Sequence, residues 1–163
     1  MPGDGRVGIG FDIHRLEPAD PGGIVLGGVT VPCPYRLIAH SDGDVVLHAL
    51  CDALLGAVGA GDLGELFPDT DAAHAGRDSC EFVREVLALP ALAAFRLVNL
   101  DVNIIAQQPR LGPHKPAIRA RLQELFELTS DRVGVKARSH EQVDAVGEAR
   151  AIVCHAAILL AAR

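Results

Sequence analysis

The sequence has few aromatic side chains, no run of basic residues and no long apolar stretch. Its 163 residues include no tryptophan, one tyrosine and five phenylalanines, and 15 Lys and Arg stand against 21 Asp and Glu, a formal net charge of -6. Binding of nucleic acid needs basic clusters and stacking rings, so this composition argues against a nucleic-acid partner. The longest apolar run, residues 156–162, is too short to span a bilayer. Because the opening M-P-G-D-G-R also lacks an apolar export segment, we expect a soluble, cytoplasmic protein.

The four cysteines do not suggest a disulfide framework or a metal site, since no two of them form a C-x-x-C pair. They stand at Cys33, Cys51, Cys80 and Cys154, which indicates neither disulfides nor a thiolate zinc site. Cys51 follows His48 by three residues and is conceivable as a fourth metal ligand, but its leucine neighbours favour a small core residue.

What the sequence does contain is a strand pattern that carries metal-binding side chains. Residues 7–14 read V-G-I-G-F-D-I-H, so apolar residues alternate with Gly, Asp and His. A strand here would place its apolar residues on one face and Asp12 and His14 together on the other. Gly8 and Gly10 share the face of Asp12, and their bare backbone suits close approach of a ligand or of another segment.

The segment after this strand predicts the start of a helix. Residues 40–44 read H-S-D-G-D, with Ser41 or Asp42 as the expected N-cap and Asp44 in the first turn, where a carboxylate favours the positive end of the helix dipole. Apolar residues at helical spacing continue from there, which predicts a helix over residues 45–58.

His48 would lie in this helix and complete a set of three metal ligands with Asp12 and His14. Two histidines and an aspartate are typical of a zinc site that leaves its fourth position open. A ligating histidine usually gives its other ring N–H to a carboxylate, and Asp44 or Asp52 would meet that need at i, i+4 spacing. We favour Asp52. A single histidine is more often an ordinary surface residue, so the prediction depends on the combination.

The remaining segments alternate between strands and helices, which predicts the fold class. We expect an α/β two-layer sandwich of the α+β type, in which helices pack on one face of a small mixed sheet. A chain of this length is expected to form one domain over residues 1–163. The segments are a hairpin turning at Gly27 and Gly28, a functional loop over 59–71, a helix over 80–87, a strand over 97–106, a helix from Pro116, a strand over 133–138 and an apolar final segment over 151–162.

Five motifs in order resemble a known family. They are G-F-D-I-H at 10–14, A-H-S-D-G-D at 39–44 with His48, D-A-L-L-G-A at 52–57, G-D-L-G-E-L-F-P-D-T-D at 61–71 and I-I-A-Q at 104–107. The chain is similar to the 2-C-methyl-D-erythritol 2,4-cyclodiphosphate synthases of the non-mevalonate isoprenoid pathway. The resemblance implies a lyase that closes a cyclic diphosphate from 4-diphosphocytidyl-2-C-methyl-D-erythritol 2-phosphate and releases CMP. It also implies a homotrimer with sites between adjacent subunits. The short apolar runs, independently of the resemblance, predict no membrane partner.

The same resemblance implies roles for individual residues. Zinc would bind Asp12, His14 and His48, and a magnesium or manganese ion, present with the bound diphosphate, would bind Glu141. His40 and Ser139 would stabilise the transition state or contact phosphate as catalytic residues. The residues implied in substrate binding are Asp12, Ile13, His14, His40, Ser41, Asp62, Leu63, Gly64, Phe67, Pro68, Asp69, Thr70, Asp71, Ala106, Pro109, Arg110, Leu111, Gly112, Ala137, Arg138, Ser139 and Glu141.

The chain departs from the family pattern over residues 138–150. The family reads K-A-T-T-T-E here, and this chain reads K-A-R-S-H-E, so Arg138 replaces a short alcohol while Ser139 keeps a hydroxyl. An arginine fork suits bidentate phosphate binding, although a solvated surface arginine is equally consistent. Ala145 stands for an aromatic residue, and Glu148 and Arg150 exchange the charges of the family's Arg and Glu.

Two other functions remain open from the sequence. One is a zinc-dependent phosphoester hydrolase that uses water as the nucleophile. The other, suggested by the altered segment, is a non-catalytic trimeric regulator that binds metal and isoprenoid diphosphate. Analysis of the product would separate the synthase from the hydrolase, and the intact set of metal ligands argues against the regulator.

Overall fold

The computed structural model describes residues 4–68, 70–71 and 74–163, which form a mixed α/β structure. The strands are β1 (Gly5–Pro18), β2 (Ile24–Leu26), β3 (Val29–Val31), β4 (Tyr35–Ile38), β5 (Phe95–Ile105), β6 (Val133–Arg138) and β7 (Ala151–Ala162). The helices are α1 (Val45–Ala57), α2 (Leu63–Leu66), α3 (Ser79–Leu87), α4 (Lys115–Phe126) and α5 (Asp144–Gly147). Within these ranges, no helix has the length and apolar character needed to cross a membrane.

Five strands form one mixed sheet in the order β4-β1-β7-β5-β6, and β2 and β3 form a separate hairpin. Only β5 and β6 pair in parallel within the described sheet, and the other neighbours are antiparallel. The apolar final segment, whose type the sequence left open, is the central strand β7. Its residues Ala151 to Cys154 are all buried, as expected for a strand with neighbours on both sides.

The helix α1 packs on the face of β1 that carries glycines. Gly8 and Gly10 lie directly under the backbone of α1, so the predicted close approach of another segment is confirmed. Leu47, Leu50 and Leu54 of α1 are all at most 1% exposed and form the centre of the core. Tight packing on the glycines fixes the distance between β1 and α1, which carry the predicted metal ligands.

The opposite face of β1 is apolar and exposed. Val7 is 69% exposed, Ile9 79%, Phe11 50% and Ile13 48%. The predicted alternation is therefore present. Within a single chain, however, the face of β1 that carries the glycines and the polar residues packs against the core, and the apolar face is exposed. A contiguous row of four large apolar side chains on a sheet is an unusual surface for a monomer.

Several local predictions are confirmed and others need correction. Gly27 and Gly28 have φ angles of 59° and 73°, as a type I′ hairpin turn requires. The N-cap of α1 is Asp44 rather than Ser41 or Asp42, because its carboxylate accepts the N–H groups of Val46 and Leu47. The helix itself begins at Val45 as predicted, so only the cap residue differs, and the Asp44 carboxylate is buried against the hairpin turn.

Short elements were missed where the sequence has many turn residues. The loop predicted over 59–71 contains α2, whose start is capped by the Asp62 carboxylate accepting the Glu65 N–H. The edge strand β4 and the one-turn helix α5 were not predicted at all. Elements of four residues are set by their tertiary contacts, and periodicity cannot identify them.

Candidate functional site

The predicted metal ligands Asp12, His14 and His48 meet at one point between β1 and α1. Nε2 of His14 lies 3.1 Å from Nδ1 of His48 and 3.1 Å from Oδ2 of Asp12. Nδ1 of His48 lies 3.0 Å from the same Asp12 oxygen. Alternation along β1 places the first two side chains on one face, and the packing of α1 on that face delivers the third.

These three atoms have the geometry that a small divalent cation requires. Their separations form a nearly equilateral triangle, and tetrahedral zinc with bonds near 2.0–2.2 Å separates its ligands by roughly 3.3 Å. All three residues are partly buried, and their ligand atoms lie within 4.8 Å of one another. The triangle corresponds to one face of a tetrahedron, with the fourth corner open towards the pocket. Two nitrogens and one carboxylate oxygen are suitable donors for such an ion.

The electrostatics of the triad couple the carboxylate to the imidazoles. Burial opposes ionisation of Asp12, but hydrogen bonds and charge from His14 and His48 overcome it and hold the Asp12 pKa well below its usual range. Burial alone would lower the pKa of His48, but the hydrogen bond and charge of Asp12, together with the charges of Asp44 and Asp42, outweigh that effect and raise the pKa. Asp12 is therefore an anion at any physiological pH, ready to hold a cation.

The second nitrogen of His48 does not contact Asp52, so that part of the prediction was wrong. His48 Nε2 lies 2.9 Å from the Ser79 hydroxyl and 3.2 Å from the Ser41 hydroxyl. Asp52 instead accepts the Leu63 N–H at 2.8 Å and so positions the start of α2; burial raises its pKa. The i, i+4 spacing placed Asp52 on the correct face, but Ser79 comes from another helix and was missed.

A pocket of about 490 Å³ opens over the triad. It gathers nine of the predicted site residues, namely Asp12, His14, His40, Ser41, His48, Asp62, Leu63, Gly64 and Phe67. The structure adds His74 and Phe82 to the lining, which the sequence did not single out. Their only sequence signal was an apolar helix face for Phe82, which is typical of any core residue.

Aromatic rings form one wall of this pocket. Phe67 and Phe82 pack with ring centroids 4.7 Å apart and ring planes tilted by 42°, and His74 meets Phe67 edge-on at 5.4 Å. The Arg77 guanidinium lies 4.7 Å from the centre of the Phe82 ring and bonds to Glu81 at 2.7 Å. A cation over the ring face closes the wall from outside and limits how far these rings can move.

Seven of the other predicted residues line a different pocket of about 640 Å³, and Pro109 and Glu141 are not part of its lining. Its lining includes Ala106, Arg110, Leu111, Gly112, Ala137, Arg138 and Ser139. The Ser139 hydroxyl donates to a Glu141 carboxylate oxygen at 2.6 Å. Glu141 has a positive φ of 51°, which is uncommon for a residue with a side chain. None of the residues that line this second pocket also lines the pocket over the triad.

A few predicted residues lie outside both pockets. The side chain of Ile13 is on the exposed face of β1, opposite Asp12. Pro68, Thr70 and Asp71 are not in the lining of the triad pocket, although the Asp71 carbonyl lies 3.4 Å from Nε2 of His40. Asp69 falls outside the described residues. Glu148 and Arg150, whose charges are exchanged relative to the family, form an ion pair within the chain at 2.6 Å.

The fold and the site define a mixed α/β protein with a triad able to hold a divalent metal ion in an open pocket. Comparison with known proteins then places it: the sequence profile of the YgbB family matches residues 5–161, and the chain belongs to that family. The family prediction from the sequence is thereby confirmed.

Two similar proteins and one solved structure show how close the similarity is. The chain is 46% identical over 155 residues to the chloroplastic 2-C-methyl-D-erythritol 2,4-cyclodiphosphate synthase of Catharanthus roseus, covering 95% of this chain and 65% of that one. It therefore spans about two thirds of the plant relative. It is 45% identical to the synthase of Symbiobacterium thermophilum, covering 96% of this chain and 99% of that one. The Plasmodium falciparum structure described as a CDP complex superposes with a TM-score of 0.85 at 32% identity, covering 100% of this chain and 99% of that one.

Proposed function

We propose that this chain converts 4-diphosphocytidyl-2-C-methyl-D-erythritol 2-phosphate to 2-C-methyl-D-erythritol 2,4-cyclodiphosphate and CMP, within isoprenoid precursor synthesis. The observation that carries the proposal is the Asp12, His14 and His48 triangle, open to a pocket, in a chain that matches the YgbB family nearly end to end. The CDP complex of the Plasmodium falciparum relative supports a cytidine nucleotide as the substrate.

The proposed reaction is an intramolecular phosphoryl transfer. An oxygen of the 2-phosphate forms a bond to the β-phosphorus, and the bond from that phosphorus to the oxygen bridging the α-phosphate breaks. CMP leaves with the bridging oxygen and the ring closes, so no water enters. Attack of one anion on another requires positive charge nearby, and the protein must hold nucleophile and leaving group in line.

Zinc is the proposed occupant of the triad, because the donor set and the 3.0–3.1 Å separations of the ligand atoms suit it. A bound zinc ion would neutralise charge on the transferring phosphoryl group. A second ion, magnesium or manganese, is assigned to Glu141 together with the diphosphate, since these hard cations prefer oxygen ligands and commonly share them with substrate phosphates.

The protein groups around the pocket have complementary roles in this proposal. His40 and Ser41 line the wall next to the triad, within reach of a phosphate held there. The exposed Asp62 carboxylate can accept hydrogen bonds from the methylerythritol hydroxyls, and Phe67 packs against its methyl carbon. Ser139 and Arg138 provide a hydroxyl and a guanidinium for the phosphates of the nucleotide.

A homotrimer of single-domain chains, each domain spanning residues 1–163, completes the proposal. The exposed apolar row on β1 is the surface expected at an obligate interface, since burying it removes large side chains from water. The triad and the Ser139 loop line separate pockets of one chain. Assembly would let the Ser139 loop of one subunit face the triad of its neighbour, so the two halves of the site need two subunits. We assign the trimer to the cytoplasm.

The deciding experiment is a product assay with the zinc-loaded protein and the cytidyl substrate. CMP release measured together with a phosphorus NMR spectrum of the product should show one cyclic diphosphate per CMP. A linear phosphorylated product would indicate a hydrolase instead. Binding of zinc with no turnover under any divalent cation would support the non-catalytic regulator and overturn the proposed reaction.

A further inference from the structure

The hydroxyl of Ser79 contacts one histidine of the metal triad from inside the fold and is not part of the pocket lining. Ser79 is 0% exposed, and with Asp44 it makes up the buried polar residues in the described part of the chain. Its Oγ lies 2.9 Å from Nε2 of His48 and 2.5 Å from Oδ1 of Asp42. A buried polar group needs partners, and here both partners are identified.

The hydrogen-bond directions in this chain of three groups follow from their chemistry. An ionised carboxylate can only accept, so the Ser79 O–H must donate to Asp42. The hydroxyl has one hydrogen, and its oxygen can then only accept from His48, which requires a proton on Nε2 of the imidazole. In a neutral imidazole the other nitrogen, Nδ1, is then unprotonated. Nδ1 is the atom that points at Asp12 and His14.

The backbone fixes this arrangement from two directions. The Ser79 N–H donates to Oδ2 of Asp42, while the Asp44 N–H donates to Oδ1 of the same carboxylate. Asp42 in turn donates its own N–H to the carbonyl of Arg77. The first residue of α3 is therefore tied to the loop before α1, and the Ser79 hydroxyl has little freedom to turn away from His48.

We propose that Ser79, oriented by Asp42, is a positioning residue that holds the imidazole of His48 in the tautomer and orientation needed to bind metal through Nδ1. The inference rests on the proposed metal site but not on the reaction. Ser41 lies farther from Nε2, at 3.2 Å, lines the pocket and accepts the Gly43 N–H, so it lacks the link to a carboxylate. Residues that orient a metal-binding histidine typically change metal affinity by about 10- to 100-fold when removed.

The first test uses the zinc-loaded wild-type protein labelled with ¹⁵N-histidine. Two-bond proton–nitrogen couplings identify which ring nitrogen carries hydrogen and which carries metal. The expected result for His48 is a proton on Nε2 and metal on Nδ1. Metal on Nε2, or a His48 ring with no proton on Nε2, would overturn the assignment without the need for any variant. Failure of the wild-type protein to bind zinc would remove the metal site and this role together.

The second test compares zinc dissociation constants, measured by competition with a chelator, for the wild type, Ser79→Ala and Thr129→Val. Thr129 provides a matched control, because its hydroxyl also donates to a carboxylate, that of Asp131, but on the exposed surface. Ser79→Ala should weaken zinc binding by about 10- to 100-fold, and Thr129→Val should not change it. Unchanged zinc affinity in Ser79→Ala would overturn the proposal. Asp42→Ala gives an independent arm if Ser79→Ala does not fold, since it removes the carboxylate oxygen that accepts the Ser79 hydroxyl, and it too should weaken zinc binding.

Discussion

Gly10 and Ala49 lie so close that a Cβ atom on Gly10 would stand 1.8 Å from the carbonyl oxygen of Ala49. The obstacle is helix backbone and cannot move aside as the end of a flexible side chain could. Gly10 is two residues from Asp12, and Ala49 follows His48. The contact therefore sets the spacing between two of the three metal ligands.

Gly10→Ala should push α1 away from β1, reducing both stability and metal binding. We expect a loss of roughly 2–4 kcal/mol in the free energy of unfolding, at the upper end of overpacking effects. Zinc affinity should fall as well, because His48 moves with the helix. Gly5→Ala is the control in the same strand, since a Cβ there meets only ordinary contacts at 3.8 and 3.9 Å. Equal stability of the two variants by urea denaturation would contradict this account.

Zinc binding should depend steeply on pH because protons compete for His48. Its pKa is raised, so below that pKa zinc must displace a proton and the apparent affinity should fall about tenfold per pH unit. Asp12 adds no further dependence near neutral pH, because its pKa is lowered. Isothermal titration at several pH values would measure the slope. His48→Ala should bind zinc far more weakly and lose this component of the slope; full zinc occupancy in that variant would remove His48 from the ligand set.

The same two shifts predict a pH window for the metal-free protein. The raised pKa of His48 stabilises the fold fully below about pH 6.5, the unfolded value, and that contribution is lost as pH rises through the folded pKa. The lowered pKa of Asp12 stabilises the fold above about pH 3.9 and is lost as pH falls. Metal-free protein should therefore melt highest between these limits. If the melting temperature of Asp12→Asn depended on pH in the same way as that of the wild type, the electrostatic coupling between Asp12 and His48 would be contradicted.

Asp44 should be far more important for stability than an ordinary helix cap. Its fully buried carboxylate accepts four N–H groups, from Gly27, Gly28, Val46 and Leu47. Asp44→Ala would leave all four without this partner, and we expect a loss of roughly 3 kcal/mol or more. Asp78→Ala is the matched control, because Asp78 caps α3 through one bond to Cys80 and is exposed, so about 1 kcal/mol is expected. Similar denaturation midpoints for the two variants would contradict the proposed importance of the four hydrogen bonds to Asp44.

The sequence predicted this site well where one element determined the geometry. Alternation along β1 was sufficient to place Asp12 and His14 together, and helical periodicity brought His48 to the face that meets them. The partner of His48 could not be found in the same way. Ser79 is 31 residues away and reaches the imidazole only because α3 packs against α1, which no local spacing encodes.

The short elements were missed in the sequence for a related reason. In the loop over 59–71, Asp62 followed by Glu65 three residues later is a capping signal that would have indicated α2. Glycine content concealed it. The alternation along β1 was predicted correctly. Which of its two faces is buried, however, depends on the face that α1 covers. That choice is made by Gly8 and Gly10, whose role is visible only in the folded chain.

Ser139 is predicted to be the functional hydroxyl of the altered segment, with Arg138 as an auxiliary phosphate contact. Ser139→Ala should reduce turnover on the cytidyl substrate by roughly tenfold or more, as expected for one lost transition-state hydrogen bond. Arg138→Thr should mainly raise the KM, because an exposed cation contributes to binding of the ground state as well. Steady-state kinetics on zinc-loaded, folded protein separates the two effects. An unchanged kcat in Ser139→Ala would remove Ser139 from the mechanism.

Ile9→Lys should dissociate the proposed trimer while leaving the metal site intact. Ile9 is 79% exposed in one chain, so a lysine there costs the isolated fold little, but it would place a charge in the apolar interface. Sedimentation velocity should show a monomer that still binds one zinc per chain, because Asp12, His14 and His48 all belong to that chain. Turnover should fall by roughly 100-fold or more, since the Ser139 loop would no longer be held against a neighbouring triad.

Leu87→Lys, at the end of α3, serves as the control, because Leu87 is exposed on a helix away from the apolar row. A fully active Ile9→Lys monomer would show that one chain holds a complete site and would rule out the shared site between subunits.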